Sequence, residues 1–253
     1  METNIRMLTV CVGCDDLLAL TLPRNIHHFT DAWVITAPDD EKTIRWCSEF
    51  QKQTQRVIHV FKTDAFTRNG AKFNKGLAIE ECFEFMGRQG WICILDSDIV
   101  LPKKIDWSFA EPGKLYSPPR RMLVDIPKDI DSVEWSRVPV RGDTEFCGYF
   151  QLFHASDPVL TKRPWYGTDY IHAGGGDHVF EMKWATRNKI RPNFSVLHLG
   201  PADANWFGRA TSRIDGQEEP NQAGRRETMH EFLASKGWGV PKVNNGFCEK
   251  IAQ

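Results

Sequence analysis

One stretch of the sequence, residues 91–102, constrains the fold more than any other; it reads WICILDSDIVLP. Five largely apolar residues lead up to Asp96, Ser97 and Asp98, and three further apolar residues follow before Pro102. A short, unbroken apolar run is typical of a strand that is buried on both faces of a parallel sheet. We therefore predict an α/β fold with two carboxylates at the carboxyl end of a central strand, where open α/β sheets bind their ligands.

The carboxylate pair favours a metal site. Asp96 and Asp98 are one residue apart, and like charges that close together are costly to bury without a positive partner. A hard divalent cation, bound by carboxylate oxygen and shared with a phosphate group, supplies that partner. An Asp-Ser-Asp turn that only caps the following segment is the alternative interpretation.

The composition is that of an ordinary globular chain. Its 253 residues, 41% hydrophobic and 26% charged, fit one large α/β domain. A net charge of −1 gives no electrostatic reason for tight non-specific binding of nucleic acid, although it is compatible with a local basic groove. No segment approaches the roughly 20 apolar residues of a membrane span, and the N-terminus lacks the apolar core of a signal peptide. We therefore expect a cytoplasmic protein without an integral membrane segment.

The seven cysteines are scattered and odd in number, which predicts reduced thiols in the core rather than a disulfide framework. Residues 11–14 (CVGC) have the letters of a CxxC motif, but no second CxxC or CxxH follows at zinc-finger spacing. We interpret these two cysteines as packing residues close to a ligand, with thiol chemistry as the alternative.

Strand and helix patterns alternate in the first hundred residues. Apolar segments at 7–12, 32–36 and 56–61 predict three strands, and each is followed by a capped or amphipathic helical segment. This alternation predicts a parallel, doubly wound sheet with right-handed crossovers. Neither G-x-G-x-x-G nor a Walker sequence follows the first strand, so the pattern excludes a dinucleotide fold and a P-loop.

The second half of the chain has a different composition. Residues 102–145 are rich in Pro, Gly and charge and predict hairpins and loops. Two more strands are predicted at 145–155 and 193–200, and a glycine-rich loop over 166–177 leads into a helix between them. One further helix is predicted at 224–235, before a loose tail.

In their order along the chain, these features resemble the nucleotide-sugar glycosyltransferases of the GT-A fold, closest to the family 2 type. The resemblance is carried by the loop RNGAKFNKGLA, the core ILDSDIVLP, the strand GYFQLFHA, the helix start GGGDHVF and the segment VLHLG. It implies one GT-A domain with a central, mostly parallel sheet flanked by helices. That domain would comprise a nucleotide-sugar-binding half (7–102), an elaborated acceptor-binding half (103–210), and a C-terminal helix and tail (211–253).

The resemblance assigns roles to four residues of the expected site. Asp98 would bind a divalent cation directly, Mn²⁺ or Mg²⁺, bridging the donor diphosphate, and Asp96 would contact the ribose or the metal through water. His198 lies where many members have a further metal ligand, and Asp177 matches the aspartate that acts as base in inverting members. The plainer alternatives are a core or rim histidine for His198 and a helix N-cap for Asp177.

The resemblance also implies contacts to the nucleotide. Lys72 and Asn74 match the loop and helix start that touch it, and a mobile loop carrying Trp206 and Arg209 would close over the diphosphate and exclude water. The alternative for this loop is a solvated segment with one packed tryptophan. Further expected donor contacts are Cys14, Asp15, Thr36, Arg68 and Ser97.

The expected donor is a UDP-sugar, a choice that follows the family's frequency. Members usually have an acidic pair at the end of the second strand that reads the uracil ring, whereas this chain has residues 36–38 (TAP) there, with Asp39 and Asp40 later. The acceptor stays open between a glycan, a small molecule and a hydroxymethylated DNA base, since aromatic side chains stack on sugars and bases alike.

Two other functions compete with inverting, metal-dependent glycosyl transfer. A nucleotidyltransferase on a related α/β scaffold would carry a glycine-rich loop with arginine or lysine after the first strand, where this chain has residues 13–16 (GCDD). An inactive sugar-binding module would more readily have lost Asp96 or Asp98, and both are present.

Overall fold

The computed structural model describes residues 4–127, 129–142, 146, 148–201, 205, 208, 209 and 211–216. The predicted C-terminal helix at 224–235 lies outside the described residues. Ten strands occur in the described part of the chain: β1 (Ile5–Val10), β2 (Asp31–Thr36), β3 (Ile58–Lys62), β4 (Trp91–Leu95), β5 (Ile99–Val100), β6 (Leu115–Tyr116), β7 (Arg120–Leu123), β8 (Phe150–His154), β9 (Lys189–Ile190) and β10 (Val196–Leu199).

The α-helices found within those ranges are α1 (Asp15–Asn25), α2 (Glu41–Thr54), α3 (Lys75–Met86) and α4 (Gly176–Glu181). Side-chain caps define two of the helix starts, since Asp40 accepts a hydrogen bond from Thr43 N at 3.2 Å and Asn74 accepts one from Leu77 N at 2.9 Å. The helix predicted after the glycine-rich loop is shorter than its sequence pattern indicates. It ends at Glu181 because the chain turns there to bury Trp184, whose indole N–H donates to Asp157.

The main sheet has the strand order β3-β2-β1-β4-β8-β6-β9. Strands β3, β2, β1 and β4 are mutually parallel, and β8 is antiparallel to both β4 and β6. The predicted α/β fold class is confirmed, with a central, mostly parallel sheet flanked by helices. The sheet takes strands from both halves of the chain, while the proposed boundary at residue 102 stays a prediction.

A second, three-stranded sheet has the order β5-β10-β7. Its middle strand, β10, runs antiparallel to β5, with His198 opposite Ile99, and Leu199 N donates to Asp98 O at 2.9 Å. This small sheet therefore brings a histidine about one hundred residues away in sequence to the end of β4.

Two apolar cores cover the two faces of the main sheet. One contains Cys93 and Leu95 together with buried residues of α1 and α2, and the other contains Ile92 and Ile94 together with buried residues of α3 and α4. Alternate residues of β4 thus enter opposite cores, which is why this strand reads as continuously apolar.

The described cysteines are buried thiols at positions 11, 14, 47, 82 and 93. Burial raises the pKa of the Cys47 thiol to about 12, and burial likewise holds the pKa of Cys11 and Cys93 well above the ordinary value. Because the thiolate is the reactive form, these thiols are poor nucleophiles. No helix in the described part of the chain is long and apolar enough to cross a membrane.

Candidate active site

The site begins where β4 ends. Asp96 N donates to Tyr149 O at 3.1 Å, Ile99 N donates to Asp96 O at 3.2 Å, and Thr21 Oγ1 donates to Ser97 O at 2.7 Å. These bonds make residues 96–99 a tight, anchored turn, so the turn predicted as an alternative does exist. Its carboxylates are directed at other groups: Asp96 forms an ion pair with Lys75, and the Asp98 carboxylate lies beside His198.

Asp98 and His198 have the arrangement of an incomplete cation site. Asp98 Oδ2 lies 3.6 Å from His198 Nε2, which is too long for a hydrogen bond. Two atoms that each lie about 2.0–2.2 Å from one cation are at most about 4.4 Å apart, so both can ligate the same ion. In the described structure, the buried atoms Asp98 Oδ1 and His198 Nδ1 have no hydrogen-bond partner. Buried polar atoms are normally paired, so the residues present fit a divalent cation.

The protein by itself does not form a full metal cage in the part of the chain that is described. No group of three or more His, Cys, Asp or Glu side chains there could hold a metal ion. Mg²⁺ is commonly held by one or two carboxylates together with substrate phosphates and water, and an imidazole ligand tilts the preference towards Mn²⁺. A cation held by Asp98 and His198 would therefore need further ligands, such as substrate phosphate oxygens and water.

Lys75 is a site residue that the sequence interpretation missed. It is the first residue of α3, and its ammonium forms an ion pair with Asp96 and also interacts with Asp177 and Asp98. Burial by itself lowers the pKa of Lys75, but the three carboxylates outweigh it and hold the pKa above its ordinary value. A lysine is unfavourable at a helix N-terminus because of the helix dipole. This unfavourable position is the feature of the sequence that could have indicated a functional role for Lys75.

The ionised side chains of this cluster do not balance in charge. Three carboxylates surround one ammonium, so the fully ionised cluster carries two net negative charges. Burial raises the pKa of Asp96, the Lys75 ammonium opposes that rise, and the neighbouring Asp98 adds to it. One divalent cation would neutralise the cluster.

Asp177 is held by backbone N–H groups. Its Oδ2 accepts a hydrogen bond from Gly148 N at 2.7 Å, and its Oδ1 accepts one from His178 N at 2.9 Å. The N-cap position of α4 is Gly175, which has a φ of 86°, so Asp177 lies inside the first turn of the helix. A Cβ atom at Gly148 would lie 2.9 Å from the Asp177 Cβ, so this approach requires glycine.

Three glycines bring the starts of α3 and α4 together. A Cβ atom on Gly76 would lie 1.8 Å from Gly167 O, and one on Gly176 would lie 2.8 Å from the same oxygen. Backbone therefore packs directly on backbone at this point. Lys75 and Asp177 each adjoin one of these glycines, so the contact draws the ammonium and the carboxylate of the two helices into one site.

The turn between β1 and α1 is closed by arginines from the end of the described chain. Arg209 forms a two-pronged ion pair with Asp16, including a contact of 2.9 Å from Nη2 to Oδ2, and its Nη1 donates to Gly13 O at 3.1 Å. Arg213 binds both oxygens of Asp15 at 2.7 and 2.9 Å. The structure thus places Asp15 and Arg209, two expected donor contacts, in neighbouring ion pairs of the protein itself.

We expect Arg209→Met to lower the free energy of unfolding by about 3–5 kcal/mol, because it leaves the buried Asp16 carboxylate without its partner. The side chains of this pair are 1% and 2% exposed. Urea denaturation measures the loss, and the double variant with Asp16→Asn should recover part of it. Arg187→Met, at an exposed arginine, is the control and should change stability by less than about 0.5 kcal/mol. If Arg209→Met and Arg187→Met have equal free energies of unfolding, the ion pair with Asp16 contributes nothing to stability.

Other expected donor contacts lie around this centre. Thr36 is fully buried and donates to Asp40 Oδ2 at 3.0 Å, and the same oxygen accepts from Gly13 N at 2.8 Å. Asp40 therefore joins the ends of β1 and β2, a role that the sequence did not reveal. Cys14 is the N-cap residue of α1.

The remaining expected contacts lie in or next to the loop before α3. Asn74 caps α3 and donates from Nδ2 to Thr168 O at 2.7 Å, and Lys72 is exposed. Arg68 forms ion pairs with Asp64 and Glu81 after the end of β3. Trp206 lies outside the described residues. The nucleotide-binding roles of these residues stay predictions.

Comparison with known proteins identifies no family for this chain. No protein-family model and no curated protein matches it. The similar solved structures include a 4-diphosphocytidyl-2C-methyl-D-erythritol synthase from Anaerococcus prevotii, with 11% identity, coverage of 79% of this chain and 88% of that chain, and a TM-score of 0.40. A nucleoside-diphosphate-sugar pyrophosphorylase from Vibrio cholerae has 12% identity, coverage of 77% and 91%, and a TM-score of 0.41.

A third similar structure is an inositol-1-phosphate CTP transferase from T. maritima, with 10% identity, coverage of 94% of this chain and 99% of that chain, and a TM-score of 0.42. At these identities and TM-scores the likeness concerns the α/β scaffold, and the reaction has to be argued from the residues of the site. The resemblance to glycosyltransferases found in the sequence stays a prediction.

Proposed function

We propose that the chain is a metal-dependent glycosyltransferase that moves a sugar from a nucleotide-diphosphate sugar, a UDP-sugar, to an acceptor hydroxyl with inversion. The observation that carries the proposal is the pair Asp98 and His198: Asp98 Oδ2 lies 3.6 Å from His198 Nε2, and Asp98 Oδ1 and His198 Nδ1 are buried without a hydrogen-bond partner in the described structure. This pair adjoins Asp96, Lys75 and Asp177 at the carboxyl end of a central strand. Ligands of open α/β sheets bind at that position.

Each residue of the cluster has a task in such a transfer. Asp98 and His198 would hold a divalent cation, which would supply positive charge to the departing diphosphate. The Asp177 carboxylate accepts the proton of the acceptor hydroxyl as that oxygen attacks the sugar. Lys75 keeps Asp96 oriented and limits the repulsion among the three carboxylates.

Nucleotidyl transfer is the second candidate, and it depends on the two arginines near the first strand. Such enzymes need cationic groups at the loop after the first strand, and Arg209 and Arg213 reach that loop from the far end of the described chain. Both arginines are occupied by Asp16 and Asp15, however. Because their charge is already neutralised there, we favour glycosyl transfer.

Thermal unfolding with candidate ligands, followed by product analysis, tests the proposal. The purified chain would be melted with UDP-, GDP- and TDP-sugars, each with and without Mn²⁺. A donor present at 100 times its dissociation constant stabilises the protein by about 2.7 kcal/mol, and we expect that shift with a UDP-sugar only when Mn²⁺ is present. Slow hydrolysis of the bound donor should then release UDP.

The products distinguish the candidates. If the chain instead forms pyrophosphate from UTP or CTP and a sugar phosphate, its reaction is nucleotidyl transfer and the glycosyltransferase proposal is wrong. Donor binding without release of UDP from any sugar, with glycan, small-molecule and hydroxymethylated DNA acceptors all tried, would assign a sugar-binding module.

A further inference from the structure

Residues 148–151 contact both parts of the proposed site. Gly148 N donates to the Asp177 carboxylate at 2.7 Å, and Tyr149 O accepts from Asp96 N at 3.1 Å. Two residues later, Gln151 Nε2 donates to Asp177 O at 3.3 Å. One short segment therefore connects the backbone beside the metal-binding carboxylates to both the side chain and the backbone of the proposed base.

Gln151 is the central residue of this connection. Its side chain is 0% exposed, and its Nε2 also donates to Phe146 O at 2.8 Å, while its Oε1 accepts from Tyr166 OH at 2.7 Å. Gln151 lies on β8 opposite Ile94 of β4, two residues before Asp96. A buried amide with all of these partners has one orientation, because leaving any of them unpaired is costly.

We propose that Gln151 is a positioning residue that fixes Asp177 relative to Asp96 and Asp98. This inference rests on the proposed function, in which Asp177 is the base. Strand β8 is paired with β4 over five residues, so it holds the base at a set distance from the carboxylate pair. A base displaced by about 1 Å loses on the order of 100-fold in rate, which gives the connection a functional consequence.

A purely structural role for Gln151 makes a different prediction. If the amide only satisfied buried groups, its loss would lower stability and leave the turnover of the folded protein unchanged. A positioning role instead predicts that kcat falls while KM and the affinity for UDP with Mn²⁺ stay the same, because the donor contacts are unaltered.

The test compares Gln151→Met and Tyr166→Phe with the native chain. The readout is UDP release from a UDP-sugar with Mn²⁺ and water as acceptor, below the melting temperature of every variant. We expect kcat to fall on the order of 100-fold for Gln151→Met and about fivefold for Tyr166→Phe, which removes one bond to the amide. The acidic limb of the pH–rate profile should shift in both variants, because the surroundings of the base have changed.

Gln51→Met is the control. The Gln51 amide also bonds to the backbone, since its Oε1 accepts from Ile58 N at 3.0 Å, but Gln51 is exposed and lies at the amino end of the sheet. Unchanged kcat in folded Gln151→Met, or an equal change in the control, would overturn the proposal. If Gln151→Met does not fold, Tyr166→Phe decides in the same way. Absence of UDP release from the native chain would instead refute the proposed function, and this inference with it.

Discussion

Asp98→Asn is expected to abolish the stabilisation by Mn²⁺ with a UDP-sugar and to lower the rate of UDP release on the order of 1000-fold. The loss corresponds to several kcal/mol of charge stabilisation that the cation supplies to the departing diphosphate. Asparagine keeps the shape of the side chain but lacks the negative charge that a hard cation needs. Ligand-dependent melting and a UDP-release assay measure the two effects.

The same substitution should raise the melting temperature of the ligand-free protein. Asp98 Oδ1 is buried without a partner in the described structure, and Asp98 adds to the raised pKa of Asp96. Removing its charge relieves that repulsion, as happens where a functional site is held at the expense of stability. Asp106→Asn is the control, because this exposed aspartate can keep its hydrogen bond to Ser108 N as asparagine. If Asp98→Asn still binds a UDP-sugar together with Mn²⁺, Asp98 is not a metal ligand.

Asp177→Asn should lower turnover by about 100- to 10,000-fold, the range for loss of a general base. Donor binding should be unchanged, because asparagine keeps one of the two backbone hydrogen bonds, from Gly148 N, loses only the one from His178 N, and the proposed donor contacts lie elsewhere. Calorimetric titration of UDP with Mn²⁺ and a transfer or hydrolysis assay separate these two quantities.

His178→Gln is the neighbouring control for that experiment. His178 Nδ1 lies 3.0 Å from Glu181 Oε1 within α4, so the imidazole pairs with Glu181 and not with the carboxylate of Asp177. We expect its turnover to equal that of the native chain. Turnover retained by Asp177→Asn, or lost equally in both variants, would remove Asp177 from the proposed mechanism.

The strongest sequence patterns predicted the scaffold well. Residues 91–95 were expected to form a central strand, and β4 has those bounds, with its side chains alternating between two cores. The alternation of strands and helices in the first hundred residues was also confirmed. These predictions succeed because burial on both faces of a sheet requires apolar residues at every position of a strand.

The sequence was less informative where an element is short or a contact is distant. Helix α4 has six residues, although the pattern after Asp177 indicated a longer one, because burial of Trp184 ends it. Arg209 was expected to close over a diphosphate, and the structure pairs it with Asp16 instead. The local sequence around a single arginine in a polar loop does not indicate which carboxylate will pair with it.

The sequence by itself determined the α/β class, the central strand and the position of Asp96 and Asp98 at its end, because these follow from local periodicity and residue type. Only the tertiary structure decided that Lys75 joins those carboxylates, that Gly76 and Gly176 let two helix starts meet, and that Gln151 connects Asp177 to β4. Such contacts join residues far apart in the chain. They depend on strand order and on backbone packing, neither of which has a local pattern in the sequence.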